Sequence, residues 1–406
     1  MLNILVVGNY NRKDYLDLFQ ASRGYCNFTF LEFTSTKEVQ GDYYQNFGEA
    51  IFWGDYQNTF QLLEEVKPHK VIFFFIETYH HVALNVTCKL LNIKTYLLDH
   101  GIRDLNINVR LENHAKHIKQ NPLQTFYNRG TQLVPRLKTR LFLLNTLKAL
   151  PETESNFLKN YIKIRKKNSI WDTYKLIISP LRLTDAFICF SEKTYAVHQA
   201  IDHLPPNYPV HYIGIPFFDH LTFIKPRESI QKTILFIDQG LAIPRLFGWN
   251  KQNFKEFQDG LVLICAKYGH LLKIKLHPRQ NPQDWETSGI VSVVTDEQLP
   301  QIIAETNIVL GFTSTLLLPL AALEHITLLT LENHPAGKLD VSKSFIDAGV
   351  AHPIYSLDEL PWALENIEAL HKKQLPNKRQ FEEDWLYEFD GKAGERLRDI
   401  LLSYEL

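Results

Sequence analysis

The sequence predicts an α/β protein: two Rossmann-like, doubly wound domains facing a cleft. Short apolar runs alternate with amphipathic helical stretches over residues 2–213 and again over residues 233–331, the pattern of parallel sheets with crossover helices. Nearly every run ends in a polar turn, and ligands of open parallel sheets sit beyond the carboxyl ends of the strands. The length, 406 residues, exceeds one ordinary domain.

Leu2–Val7 reads as a first buried strand, turning at Gly8-Asn9-Tyr10-Asn11 into a helix over Asp14–Ser22. Phe28–Phe33 reads as the next strand, Phe60–Val66 as a helix, Lys70–Ile76 as a fully buried strand and His81–Leu91 as a helix. Lys94–Leu98 is a further strand, ending at Asp99-His100-Gly101. A helix-rich insertion follows over about residues 106–170. Residues 101–170 hold 14 Lys/Arg against 4 Asp/Glu, densest at Lys163-Ile164-Arg165-Lys166-Lys167. This suits a solvated helical face, an anionic membrane surface or an acidic glycan. No nucleic-acid motif accompanies the charge, so no nucleic acid is expected as a partner.

Strands at Ala186–Phe190 and Val210–Ile213 complete a first domain over residues 1–216. Residues 217–231 read as a linker. The second domain, residues 232–380, carries strands at Thr233–Ile237, Leu272–Leu276, Val291–Val294, Ile308–Leu310 and Thr327–Leu331. A helical tail interrupted at Asp390-Gly391-Lys392 covers residues 381–406. The composition, 45% hydrophobic with a net charge of -1, is that of an ordinary core without a polyanionic partner. Four cysteines lack any CxxC pair and read as reduced and buried. With no signal-like start and no long apolar run, the expected location is cytoplasmic, peripheral to the inner membrane face if the basic insertion docks there.

Two strand ends carry the chemistry. The strand through Lys275 runs into His277-Pro278-Arg279, an imidazole and a guanidinium. Ile308-Val309-Leu310 runs into Gly311-Phe312-Thr313-Ser314-Thr315, three hydroxyls and a helix start, which together suit a phosphate. Gln239 and Gly240 follow another strand and let backbone approach a nucleotide. Glu332, with Asn333 and His334, stands where ribose or base would be touched. Asp99 and His100 compete as general bases, and each also reads as a loop residue capping the next helix. No GxGxxG is present, so a dinucleotide cofactor is not expected. Glu77, His80 and His81 lack zincin spacing, and no metal is expected.

In this order the motifs resemble those of GT-B glycosyltransferases, in particular bacterial sialyltransferases, polysialyltransferases and Kdo transferases. Leu276-His277-Pro278 is similar to their HP motif, Ser314-Thr315 to their hydroxyl pair, and Thr233–Gly240 to the strand and turn that open the donor domain. Asp99-His100-Gly101 stands where their acidic motif stands, with His100 in place of the second acid. It also resembles the His-Gly motif of CDP-glycerol or CDP-ribitol phosphotransferases. The resemblance implies inverting transfer of a sialic acid or Kdo-type keto-sugar acid from a CMP-activated donor to a hydroxyl of a bacterial surface glycan or glycolipid, as in capsule or lipopolysaccharide synthesis. In that reading Asp99 or His100 deprotonates the acceptor, and His277, Ser314 and Thr315 hold the departing phosphate. The alternatives are a CDP-alditol phosphotransferase or nucleotide-diphosphate-sugar GT-B transferase and, from another class, a non-catalytic two-lobed nucleotide or sugar binder.

Overall fold

The computed structural model describes residues 1–101, 133–228, 231–242, 246–278 and 280–403. They divide into two compact units. Among the described residues, unit 1 takes in 1–100, 133–219 and 392–403; unit 2 takes in Gly101 and 220–391. The main division thus falls at Asp219/His220, inside the expected linker.

Unit 1 is built on a parallel sheet of seven strands: β1 (Leu2–Val7), β2 (Cys26–Leu31), β3 (Gly48–Ile51), β4 (Lys70–Phe73), β5 (Lys94–Leu98), β6 (Ala186–Cys189) and β7 (Val210–Tyr212). Their spatial order is β3-β2-β1-β4-β5-β6-β7. Central strands are apolar on both faces because helices cover both. In β4, Val71, Ile72 and Phe73 are wholly buried, and burial of such side chains stabilises by about 1.5–3 kcal/mol each. The helix Tyr79–Leu90 starts at Thr78, whose hydroxyl accepts the His81 N–H at 3.2 Å.

Unit 2 repeats the winding. Its sheet holds β8 (Thr233–Ile237), β9 (Leu271–Lys275), β10 (Val291–Val294), β11 (Ile308–Gly311), β12 (Thr327–Leu331) and, after a two-stranded ribbon of β13 (Asn333–His334) and β14 (Gly337–Lys338), β15 (Ala351–Ile354). The order is β10-β9-β8-β11-β12-β15, all parallel. The direction of winding reverses between β8 and β11, the switch point where doubly wound sheets hold ligands. An apolar cluster including Phe236, Trp249, Phe257, Phe312 and Trp285 packs against this sheet.

β3 and β15 go beyond the elements read from sequence. The tail is two helices, Lys378–Leu386 in unit 2 and Ala393–Leu402 in unit 1. The second is fastened there. Asp219 accepts the Ala393 and Gly394 N–H groups at 3.0 and 2.8 Å, and the buried Lys70 ammonium donates to the carbonyls of Ile400 and Ser403 at 2.5 and 2.7 Å. No described helix is long and apolar enough to cross a membrane.

Candidate functional site

The register of unit 2 sets four loops in a row. Ile237 pairs with Lys275 on one side and Gly311 on the other, and Gly311 pairs with Thr330. Gln239, His277, Thr313 and Glu332 therefore each lie two residues past one level of the sheet. Neighbouring strands are about 4.8 Å apart, so β9 and β11, separated by β8, are spaced roughly 10 Å. That is the scale of a phosphorylated ligand, and it is set by pairing alone.

Asp238, missing from the expected site residues, organises the first two loops. Its carboxylate is buried. Oδ1 accepts the Gly240 N–H at 2.9 Å, and Oδ2 accepts from Gln280 Nε2 and Trp285 Nε1, both at 2.8 Å. The Gln280 Oε1 then accepts the His277 N–H at 2.8 Å. One glutamine thus ties the tip of β8 to the tip of β9. Burial raises the Asp238 carboxyl above its usual range, opposed by hydrogen bonds from Gln280, Gly240 and Trp285. Gly240 is required twice: its φ is +63°, and a Cβ there would lie 3.0 Å from Gln280 Cγ. An acid directly before Gln-Gly at a strand end was the available signal for Asp238.

His277 is half-buried and Pro278 exposed. Arg279 lies outside the described residues. Lys275 is turned to its neighbour: Nζ lies 2.9 Å from an Asp296 carboxylate oxygen and donates to the Leu276 carbonyl at 3.1 Å. In β11, a Cβ on Gly311 would come within 3.1 Å of Ile237 Cβ, so the glycine permits close packing on β8. The Thr313 hydroxyl is buried and has no hydrogen-bond partner among the described residues. Ser314 and Thr315, half-buried, precede the helix Leu317–Ala322. Their carbonyls, not their hydroxyls, take up the first helical N–H groups, from Leu317 and Leu318 at 3.0 and 3.1 Å.

Glu332 is wholly buried. Its carboxylate accepts the Ser342 N–H at 3.2 Å, and burial raises its pKa against hydrogen bonding from Ser342 and the Val341 backbone. It pins the loop beyond β14. His334 accepts the Trp249 indole N–H at 3.1 Å and packs on Phe247 and Phe312.

Unit 1 separates the two candidate bases. Asp99 is wholly buried, with Oδ1 2.8 Å from His198 Nε2 and Oδ2 accepting the Phe190 N–H at 3.1 Å. His198 continues to Asp202 at 3.8 Å, which meets Arg182 Nη1 at 2.7 Å. Burial works against the Asp202 charge, but hydrogen bonding from His198 and the charge of Arg182 hold its pKa below the ordinary value. Asp99 is thus the buried anchor of its turn. In this structure the carboxylate has no solvent face, and its described contacts hold the fold. His100 is half-buried, its ring 4.6 Å from Tyr15, 5.6 Å from Phe74 and 5.8 Å from Phe75 between centroids. Phe74 directly follows β4 at the switch point between β1 and β4. Of the Glu77, His80 and His81 group, His81 Nε2 faces Glu32 at 3.3 Å, and His80 Nε2 lies 3.2 Å from the Thr139 carbonyl.

The model of the alpha-2,8-polysialyltransferase (POLYST) family matches residues 55–332, more than half of the chain. The chain belongs to this family. The match runs from before Asp99 through His277 and Ser314-Thr315 to Glu332. Membership makes the chain a glycosyltransferase, with a nucleotide-sugar donor and a glycan acceptor. No curated protein sequence matches this polysialyltransferase-family chain. Among solved structures it is similar to the glycotransferase of kitacinnamycin (12% identity, 99% of both chains covered, TM-score 0.54). It is also similar to CalG4, the calicheamicin glycosyltransferase (12%, 99% of this chain and 97% of that one, 0.52). A third is a variant of the wall teichoic acid polymerase TagF soaked with CDPG (12%, 98% and 87%, 0.51). At such identities the likeness shows the fold, which is GT-B.

Proposed function

We propose that this polysialyltransferase-family chain transfers a keto-sugar acid from a CMP-activated donor to a hydroxyl of a bacterial surface glycan, with inversion and without a metal. The observation that supports this best is the hydrogen-bonded frame from Asp238 through Gln280 to His277, in register with the hydroxyl loop after β11. A CMP leaving group gains phosphate charge as the glycosidic bond breaks. In this reading the His277 imidazole donates to that phosphate, and the hydroxyls of Thr313, Ser314 and Thr315 share it. Thr313 contributes a buried hydroxyl that nothing else described engages. Gly240 lets backbone approach the nucleotide. In unit 1, His100 takes the acceptor proton while Asp99 holds the turn that carries it.

The second reading is a CDP-alditol phosphotransferase. What favours it is His100 itself, standing next to a buried Asp99 where sialyltransferases carry a second acid. Thermal-shift titration with CMP, CDP, UDP and GDP decides between them. Preferential stabilisation by CMP supports the first reading and by CDP the second, whereas indifference to all four overturns both.

A further inference from the structure

We propose that the helix Leu133–Ala149 docks unit 1 on an anionic phospholipid surface. The helix has two apolar faces, and the fold uses one. Phe142, Thr146 and Leu150, at successive fourth positions, are buried, with Leu143 and Leu147 packed beside them. Thr146 Oγ1 accepts the Thr59 N–H at 3.1 Å and fixes that face inward. On the opposite face Leu137, Leu141 and Leu144 are 58, 58 and 44% exposed. At 100° per residue these three and Lys148 fall within roughly 60° of one another. Lys138 and Arg140, both exposed, flank the stripe, and Lys138 also reaches the Gly54 carbonyl at 3.4 Å. The helix has no acid in its first turn and a lysine in its last.

The charges select the occupant. A second copy of this chain would cover the leucines but set cations against cations. An acidic glycan would meet the cations and leave the leucines in water. A bilayer interface with anionic headgroups satisfies both, with the helix lying in the plane of the surface. Across residues 137–170 the sequence holds 8 Lys/Arg against 2 Asp/Glu, the same sign of charge. Each cation near such a surface strengthens partitioning by roughly fivefold.

The test is flotation of the full chain with phosphatidylcholine vesicles, with and without roughly 30% phosphatidylglycerol. The chain is expected to float with the anionic vesicles and to be released as salt rises from ~0.1 to ~0.5 M. The double variant Leu141→Glu/Leu144→Glu should bind about tenfold less or worse, and Arg140→Ala/Lys148→Ala should lose the salt-sensitive part. Both change exposed side chains, so an unaltered melting curve confirms folding. A wild-type chain that stays with the solution overturns the proposal, as does a glutamate variant that floats equally well. Light scattering that finds a stripe-dependent dimer with no vesicle uptake assigns the face to a second copy and overturns it too.

Discussion

Oδ1 of Asp99 lies 2.8 Å from Nε2 of His198, and both side chains are withdrawn from solvent. This pair links the end of β5 to the helix Glu192–Asp202, ninety-nine residues further along the chain. Asp99→Ala leaves a buried imidazole and the Phe190 N–H without their acceptor. Removing one member of such a buried network costs about 3–5 kcal/mol, so the variant should show a large fall in melting temperature. An Asp99→Ala chain that melts like wild type but cannot turn over would return Asp99 to the reaction.

His277→Ala should leave folding intact, because the part of His277 that joins the frame to Gln280 is its backbone N–H. Transfer should fall by about 10²–10³ or more, the scale for removing a preorganised donor to developing charge. Melting curves alongside initial rates with saturating donor separate the two effects.

Gln280→Ala removes two hydrogen bonds at once, one to Asp238 and one from His277. Asp238 keeps two donors, Gly240 and Trp285, so the protein should fold with a loss of about 1–3 kcal/mol. Nucleotide affinity should fall more than stability suggests, since the turn carrying His277 is no longer tied to β8. Calorimetric titration with CMP reads this, and unchanged affinity would detach the frame from binding.

Lys378 provides a pH signature. It is 1% exposed and donates to the Ala321 carbonyl at 2.7 Å, at the end of the helix Leu317–Ala322 that follows Ser314 and Thr315. Burial lowers its pKa from 10.5 to about 7, with Glu324 opposing. Between those two values the unfolded chain binds a proton that the folded chain does not, so this group makes stability rise as pH rises from about 7 towards 10.5, with no slope below. Lys378→Met should flatten that rise, as measured by denaturant unfolding across this window.

The lysine that fastens the C-terminal helix gives a further test. Lys70→Ala frees the carbonyls of Ile400 and Ser403 and should cost about 1–3 kcal/mol. Hydrogen exchange should quicken in Ala393–Leu402 while the strands of unit 2 keep their protection.

Both sheets were legible because their central strands are short, continuous apolar runs ending in polar turns. The strand ends at His277 and Gly311 were legible for the same reason. β3 was not, because Gly48-Glu49-Ala50-Ile51 is a half-exposed edge strand without an apolar run. β15 was hidden by His352-Pro353, which reads as a turn, yet proline is tolerated on an edge. Asp99 looked like a base because its burial depends on His198 and Phe190, and no local pattern announces partners so distant in sequence. Asp238 and Gln280 form their bond across 42 positions, which spacing alone does not reveal.

The return of Ala393–Leu402 to unit 1 makes unit 2 an insertion in the covalent order of the polypeptide. During synthesis the ribosome delivers all of residues 220–391 before the segment that Asp219 and Lys70 await. Unit 2 can therefore close its sheet while unit 1 still lacks its last piece. Maturation of unit 1 therefore waits on Ala393–Leu402, so a ribosome stalled before that helix would leave one finished unit and one unfinished.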